Sequence, residues 1–253
     1  MRLIDTHAHL DFSHFDTDRE AVIARAREAG LLAILNVGAD LPSSRAAVAL
    51  AERVDFVYAA VGVHPHDARM VTSATIEELR ALAQHEKVVA IGEIGLDYYR
   101  DRSPRPAQRR AFASQLALAA ELNLPVVVHS REAHDDVLAA LSGWNGQGVL
   151  HAYAAGLERL DEVLALGFAI GVAGPVTFTN ARRLRAAAAT VPPERLLLET
   201  DCPFLTPEPY RGRRNEPAYL RYVAEAVAHA RGETAEKVAQ MAADNAMRLF
   251  GIL

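Results

Sequence analysis

The sequence predicts one α/β domain folded as a (β/α)8 barrel of the TIM type, extended by a further C-terminal helix. Three observations lead there. Short β-branched runs alternate with alanine-rich stretches at helical spacing along the whole chain, the pattern of a parallel sheet covered on both faces. Eight strand candidates can be counted in that alternation, the number that closes such a barrel. No G-x-G-x-x-G follows the first strand candidate, which argues against the nucleotide-binding form of an open doubly wound sheet.

The elements follow in order. A strand at Leu3–Thr6 leads to a helix at Asp18–Ala29, where Asp18 suits the capping position and Gly30 follows the end. Strand Leu32–Val37 precedes helix Ser43–Arg53, and strand Phe56–Val63 precedes helix Thr75–His85. The fourth strand, Val88–Ile94, is followed by helix Pro106–Leu122, with Pro106 fitted to a first helical turn. Strands at Pro125–His129 and Gly148–His151 come next, then helix Glu158–Leu166 and strands Phe168–Val172 and Leu196–Thr200. Thr234–Phe250 reads as the additional terminal helix. No linker, low-complexity tract or break in composition divides residues 1–253, so they read as a single domain.

Composition narrows the function classes. With 253 residues, 51% of them hydrophobic, the chain can bury a large core, and α/β barrels use this length for one domain. No stretch approaches the roughly 20 unbroken apolar residues of a membrane span, and Asp5 and His7 interrupt any signal-peptide pattern at the start. A single cysteine, Cys202, excludes an internal disulfide framework and fits a reducing, cytoplasmic setting. Nothing points to an obligate protein partner. The net charge of -5 does not suit a protein that grips long duplex DNA through its phosphates. Any nucleic acid it handles should be met locally, at a cleft.

Chargeable residues gather at the carboxyl ends of the strand candidates. Strand one runs into His7 and His9, and strand four, in "VVAIGEIGLDYY", into Glu93 and Asp97. His129 ends strand five, His151 ends strand six, and Glu199 and Asp201 end strand eight. In a barrel these ends meet on the face where active sites are built. His129 after Val126-Val127-Val128 and His151 after Val149-Leu150 stand at the same phase of the repeat. Clustered ionisable groups are costly to bury unless a cation pairs with them, and neutral imidazoles with carboxylates suit Zn²⁺, Mn²⁺ or Fe²⁺. Six ligand candidates (His7, His9, Glu93, His129, His151 and Asp201) exceed the four of a structural zinc site. Two metals sharing a bridging group are therefore expected.

Other candidates are weaker. His64, in "GVHPHD", is a candidate substrate contact, with turn packing as the alternative. Arg211, Arg213 and Arg214, in "PYRGRRNEP", sit in the loop after strand eight, where arginine forks would suit substrate phosphates. Asp11, Asp97 and Glu199 are candidates for orienting the ligands. Cys202, beside Pro203, reads as a small buried residue.

The stretches "DTHAHLD", "VGVHPHD", "IGEIGLDYYR", "VVVHSREA", "LLLETDCPFLTP" and "RGRRNEPAYL" together closely resemble the TatD family of metal-dependent deoxyribonucleases. The resemblance runs from residue 3 to the terminal "NAMRLFG". It implies a distorted TIM barrel of the amidohydrolase superfamily and metal-dependent cleavage of DNA phosphodiester bonds, in many members from the 3′ end. It also implies that His7 and His9 hold one metal with Asp201 beside it, and that Glu93 bridges to a second held by His129 and His151. Ala152-Tyr153 departs from the family's Cys-Phe or Ser-Phe, at positions that are not family ligands.

The expected chemistry is hydrolysis of DNA ends or single strands with two divalent ions (Zn, Mn or Mg), Asp201 orienting the water and taking its proton. A related ester hydrolase, such as a D-aminoacyl-tRNA deacylase, is the alternative within the same geometry. A non-enzymatic barrel using metals as staples is the alternative outside it.

Overall fold

Parallel strands cannot be joined by tight turns, and here helices supply the crossovers. The computed structural model describes residues 1–252. One eight-stranded sheet runs in sequence order: β1 (Leu3–Ala8), β2 (Leu31–Val37), β3 (Val57–Val61), β4 (Val88–Asp97), β5 (Val126–Arg131), β6 (Gly148–Leu150), β7 (Ala169–Val172) and β8 (Leu196–Leu198). Adjacent strands are parallel throughout. The intervening helices are α1 (Arg19–Glu28), α2 (Leu41–Arg53), α3 (Ser73–Leu82), α4 (Arg105–Leu122), α5 (His134–Leu141), α6 (Leu160–Ala165) and α7 (Arg182–Thr190). After β8 come α8 (Leu220–Arg231) and α9 (Ala235–Phe250), the second being the terminal helix expected from sequence. Among the described residues no helix is long and apolar enough to cross a membrane.

The boundaries shift in an informative way. β4 and β5 run on to Asp97 and Arg131, whereas β6 and β8 stop at Leu150 and Leu198. His151 and Glu199 therefore stand just beyond their strands, and Glu93 and His129 within theirs. Asp18 precedes α1 but its side chain caps nothing; the carboxylate is taken by Arg214 instead. Asp40 caps α2, accepting from Ser43 N at 2.8 Å.

The barrel closes imperfectly between β8 and β1. A single bridge, Ala8 to Cys202, joins them beyond the end of β8. Around it, His9 N donates to Cys202 O and Asp201 N to His7 O, both at 2.8 Å. Below it the buried Asp5 carboxylate replaces the missing ladder, accepting from Thr200 N at 2.9 Å, Thr200 Oγ1 at 2.6 Å and His7 N at 3.3 Å. The distortion implied by the family resemblance is this seam.

Apolar burial falls into two shells. One packs the sheet against the helices and includes Ile34, Val126, Val128 and Leu198. The other collects Leu35, Val127, Val149 and Leu197 with Ala243, Ala246 and Phe250 of α9. Alternate residues of a strand face opposite sides, so His129 and His151 continue the phase of Val127 and Val149. Cys202 is fully buried, and burial pushes its thiol well above the ordinary range, as expected of a packing residue.

Candidate metal centre

Glu93 is the hub. Its Oε2 lies 3.4 Å from His7 Nε2 and 3.6 Å from His9 Nε2. Its Oε1 lies 2.8 Å from His129 Nδ1, 3.2 Å from His151 Nε2 and 3.4 Å from His64 Nε2. One carboxylate thus turns each oxygen toward a different set of imidazoles. Asp201 completes the first set, with Oδ1 3.5 Å from His9 Nε2 and 3.7 Å from His7 Nε2. All six ligand candidates are brought together, and three overlapping groups among these residues and His64 could each hold an ion.

Neighbouring groups bracket the rings. His9 Nδ1 faces Val37 O at 2.7 Å, which can only accept, so in the neutral ring the proton sits there and Nε2 is bare. That bare nitrogen is 3.1 Å from His7 Nε2. His151 stacks on His7 with ring centroids 3.8 Å apart, and its Nδ1 is 3.3 Å from Glu199 Oε1. Glu199 Oε1 also accepts from Ala152 N. Asp97 sits behind His129, with Oδ2 3.3 Å from His129 Nε2 and 2.9 Å from His66 Nε2. Asp11 stands further back, accepting from Asn36 Nδ2 at 2.8 Å and Ser43 Oγ at 2.6 Å. It braces the loop rather than touching a ligand ring.

Electrostatics are set by burial against these pairs. Burial would raise Glu93, but the histidines around it hold its carboxyl well below the usual range. Asp201 is lowered likewise, burial being overcome by His9 and its neighbours. Burial opposes charge on His129 and His151, yet Asp97 with Glu93 lifts the first, and Glu93 with Glu199 lifts the second well above an ordinary histidine. His9 is raised by Asp201 against the same burial. His7 and His64 go the other way, desolvated and crowded by neighbouring imidazoles, His64 to about 4.

The TatD-related DNase model matches residues 4–251. The chain belongs to that family. It is 45% identical over 253 residues to an uncharacterized metal-dependent hydrolase, YabD, of Bacillus subtilis, covering 99% of each chain. It is 42% identical over 262 residues to the 3′-5′ ssDNA/RNA exonuclease TatD of Pantoea ananatis, covering 99% of this chain and all of that one. Among solved structures, the TatD homologue YJJV of Escherichia coli superposes with a TM-score of 0.93 at 34% identity, covering 99% and 98% of the two chains. This TatD-related protein is accordingly a metal-dependent hydrolase.

The donor set fits divalent ions. His7 Nε2 and His9 Nε2, 3.1 Å apart, both face Glu93 and Asp201, a mixed nitrogen and oxygen set that suits a divalent cation. His64 differs from the other histidines of the centre. Its Nδ1 accepts from His66 N at 3.1 Å, so its proton lies on Nε2, the atom that faces Glu93. In the neutral ring it faces Glu93 as a hydrogen-bond donor rather than with a bare nitrogen. The arginine loop divides. Arg214 forks onto Asp18 with two contacts of 2.7 Å and donates to His14 O at 2.7 Å. Arg213 is exposed. Arg211 lies over the Phe178 ring at 4.0 Å.

Three participants are not evident from sequence. His66 shares a motif with His64 that gives it no role of its own, yet it completes the Asp97 bracket behind His129. Asn36, a buried amide, accepts from Leu10 N and donates to Asp11, holding the turn after His9. Asp5 stitches the seam. The last two carry a signal: a polar residue inside an otherwise apolar strand must find partners.

Proposed function

We propose that this chain is a 3′-5′ exonuclease that hydrolyses phosphodiester bonds of single-stranded DNA or RNA, with two divalent ions held on either side of Glu93. His7, His9 and Asp201 would hold one ion, and His129 and His151 the other, Glu93 being shared. The observation that carries the reading is the division of the two Glu93 oxygens between these sets. When bound, the ions supply water activation near neutral pH and neutralise charge on the phosphoryl oxygens.

The protein's own groups do the rest. Asp201 is kept ionised and lines a cavity of about 290 Å³ beside the centre, so it can accept a proton from the attacking water. His64, neutral at pH 7 because burial holds it near 4, donates from Nε2 without adding charge. Glu199 and Asp97 keep His151 and His129 in orientation. Arg213 is assigned to a substrate phosphate, while Arg214 is committed to Asp18 and holds the loop against α1.

End-labelled single-stranded DNA and RNA, a matched duplex and a D-aminoacyl-tRNA, each with Mg²⁺, Mn²⁺ or Zn²⁺, test the reading. Stepwise shortening from the 3′ end, confined to single strands, is expected. Metal-loaded protein that deacylates the tRNA but leaves every polynucleotide intact would overturn it.

A further inference from the structure

The turn that follows Asp97 carries an aromatic and cationic ridge at the lip of the metal centre. Tyr99 is 53% exposed. The Arg131 guanidinium lies over that ring, 4.1 Å from its centroid, and Arg100 approaches it at 5.5 Å. Nearby Arg105 is paired with Asp101 and Arg109 with Asp136. Among the described residues Arg100 and Arg131 have no such carboxylate partner, and both are exposed. Arg131 also lines the same cavity as His129, His151 and Asp201.

The ridge is fixed to the centre. Asp97 Oδ1 accepts from Tyr99 N at 3.0 Å and from Arg100 N at 2.7 Å. Its Oδ2 is the atom behind His129. Across the sheet, Asp97 pairs with Arg131, and Tyr98 N donates to Arg131 O at 2.9 Å. A tyrosine with an arginine over it is common on surfaces. A ridge whose Tyr99 and Arg100 amides are held by the carboxylate beside His129, and whose Arg100 and Arg131 cations lack counter-charges, is built to receive an anion with a flat face.

We propose that Tyr99, Arg131 and Arg100 form a strand-binding subsite for the nucleotides of a single-stranded polynucleotide that lie outside the reacting phosphodiester. Tyr99 stacks a base and the two guanidiniums take neighbouring phosphates. This rests on the exonuclease reading above. Base–aromatic stacking tolerates any sequence because every base has a π-face, and it needs an unpaired base. A duplex keeps its bases stacked on one another and offers Tyr99 none. The local positive charge also explains how a chain of net charge -5 draws in a polyanion at one rim.

The test compares Tyr99→Ala, Tyr99→Phe and Arg131→Ala, all metal-loaded, on oligothymidylates of graded length and on the small diester bis(p-nitrophenyl) phosphate. Tyr99→Ala should lower the long-to-small ratio of kcat/KM about 5- to 150-fold, the size of a single base–aromatic stack. The loss should lie in KM and grow with length until the ridge is spanned. Tyr99→Phe should retain the wild-type ratio. Arg131→Ala should flatten the dependence of log KM on log salt by about 0.7 for each phosphate that the guanidinium neutralises in the wild type. An oligonucleotide carrying 2-aminopurine near its 3′ end should be quenched on binding wild type and not Tyr99→Ala. A wild type that cleaves and binds oligonucleotides, with Tyr99→Ala unchanged in ratio and quenching, overturns the subsite alone. A wild type that hydrolyses only the small diester and binds no oligonucleotide overturns the substrate reading and the subsite together.

Discussion

Replacing Asp201 by asparagine separates the chemistry from the binding of metal. Asp201 sits in the left-handed region, at φ 57°, where Asp and Asn are the best-tolerated side chains that carry a Cβ. The substitution therefore leaves the backbone between β8 and the arginine loop undisturbed. It also keeps the size of the side chain and one oxygen toward His7 and His9. What disappears is the negative charge, and with it the ability to accept a proton. Asp201 is the more open of the two carboxylates at the centre, its side chain 13% exposed against 5% for Glu93. Both of its ring contacts fall on Oδ1, leaving Oδ2 for water or substrate. Proton transfer to a positioned base contributes about 10²–10⁴-fold, or about 3–5 kcal/mol of barrier. Turnover of Asp201→Asn should fall by at least the lower figure while its metal content stays close to wild type. Metal stoichiometry by mass spectrometry, read beside single-turnover cleavage of an end-labelled strand, measures both. A metal-loaded variant cleaving within a few-fold of wild type would refute the assignment.

Four further outcomes follow from the same geometry. Glu93→Gln should fail differently, losing metal outright, because its two oxygens serve both sets of histidines; a variant that retains full stoichiometry speaks against a shared carboxylate. Metal uptake should weaken as pH falls. His9, His129 and His151 are all raised above the ordinary histidine value in the metal-free protein, so protons compete with the ion below those raised values and leave above them. Calorimetry in buffers of different ionisation enthalpy should show proton release on binding near neutrality, and none would contradict it. In the arginine loop, Arg213→Ala should raise KM at low salt with metal content intact. Arg214→Ala should instead cost about 1 kcal/mol of stability through its partly exposed pair with Asp18, measured by denaturant titration.

The barrel and its candidate ligands are legible in the sequence because both obey a period. Strand residues alternate faces, so the phase of Val127 and Val149 places His129 and His151 on one side. Glu93, His7, His9 and Asp201 join them because strand ends of a barrel share a face. Division of labour among like residues is a different matter, since it depends on distant partners. Asp11 and Asp97 are equal candidates by sequence for orienting ligands; only the three-dimensional register puts Asp97 against His129 and leaves Asp11 with Asn36 and Ser43. Arg213 and Arg214 are chemically identical neighbours, and the commitment of Arg214 depends on Asp18, a residue 196 positions away. α7, "RRLRAAAAT", buries only the small side chains of Ala187 and Ala188, so its inner face lacks the bulky apolar residues that mark the other helices.

The seam connects these levels. A fully laddered β1–β8 pair would hold the backbone at the ends of both strands in regular extended geometry. Here a single bridge suffices, because Asp5 satisfies the Thr200 amide and hydroxyl and reaches the His7 amide. Freed from the ladder, the chain after β8 turns through the left-handed Asp201 and aims its carboxylate at His7 and His9. On the opposite wall the sheet does the reverse. β4 and β5 stay paired out to Asp97 and Arg131, so His129 and the Tyr99 ridge share one rigid support. The proposed proton transfer would thus fall at the irregular junction, and the proposed second ion and strand at the regular one.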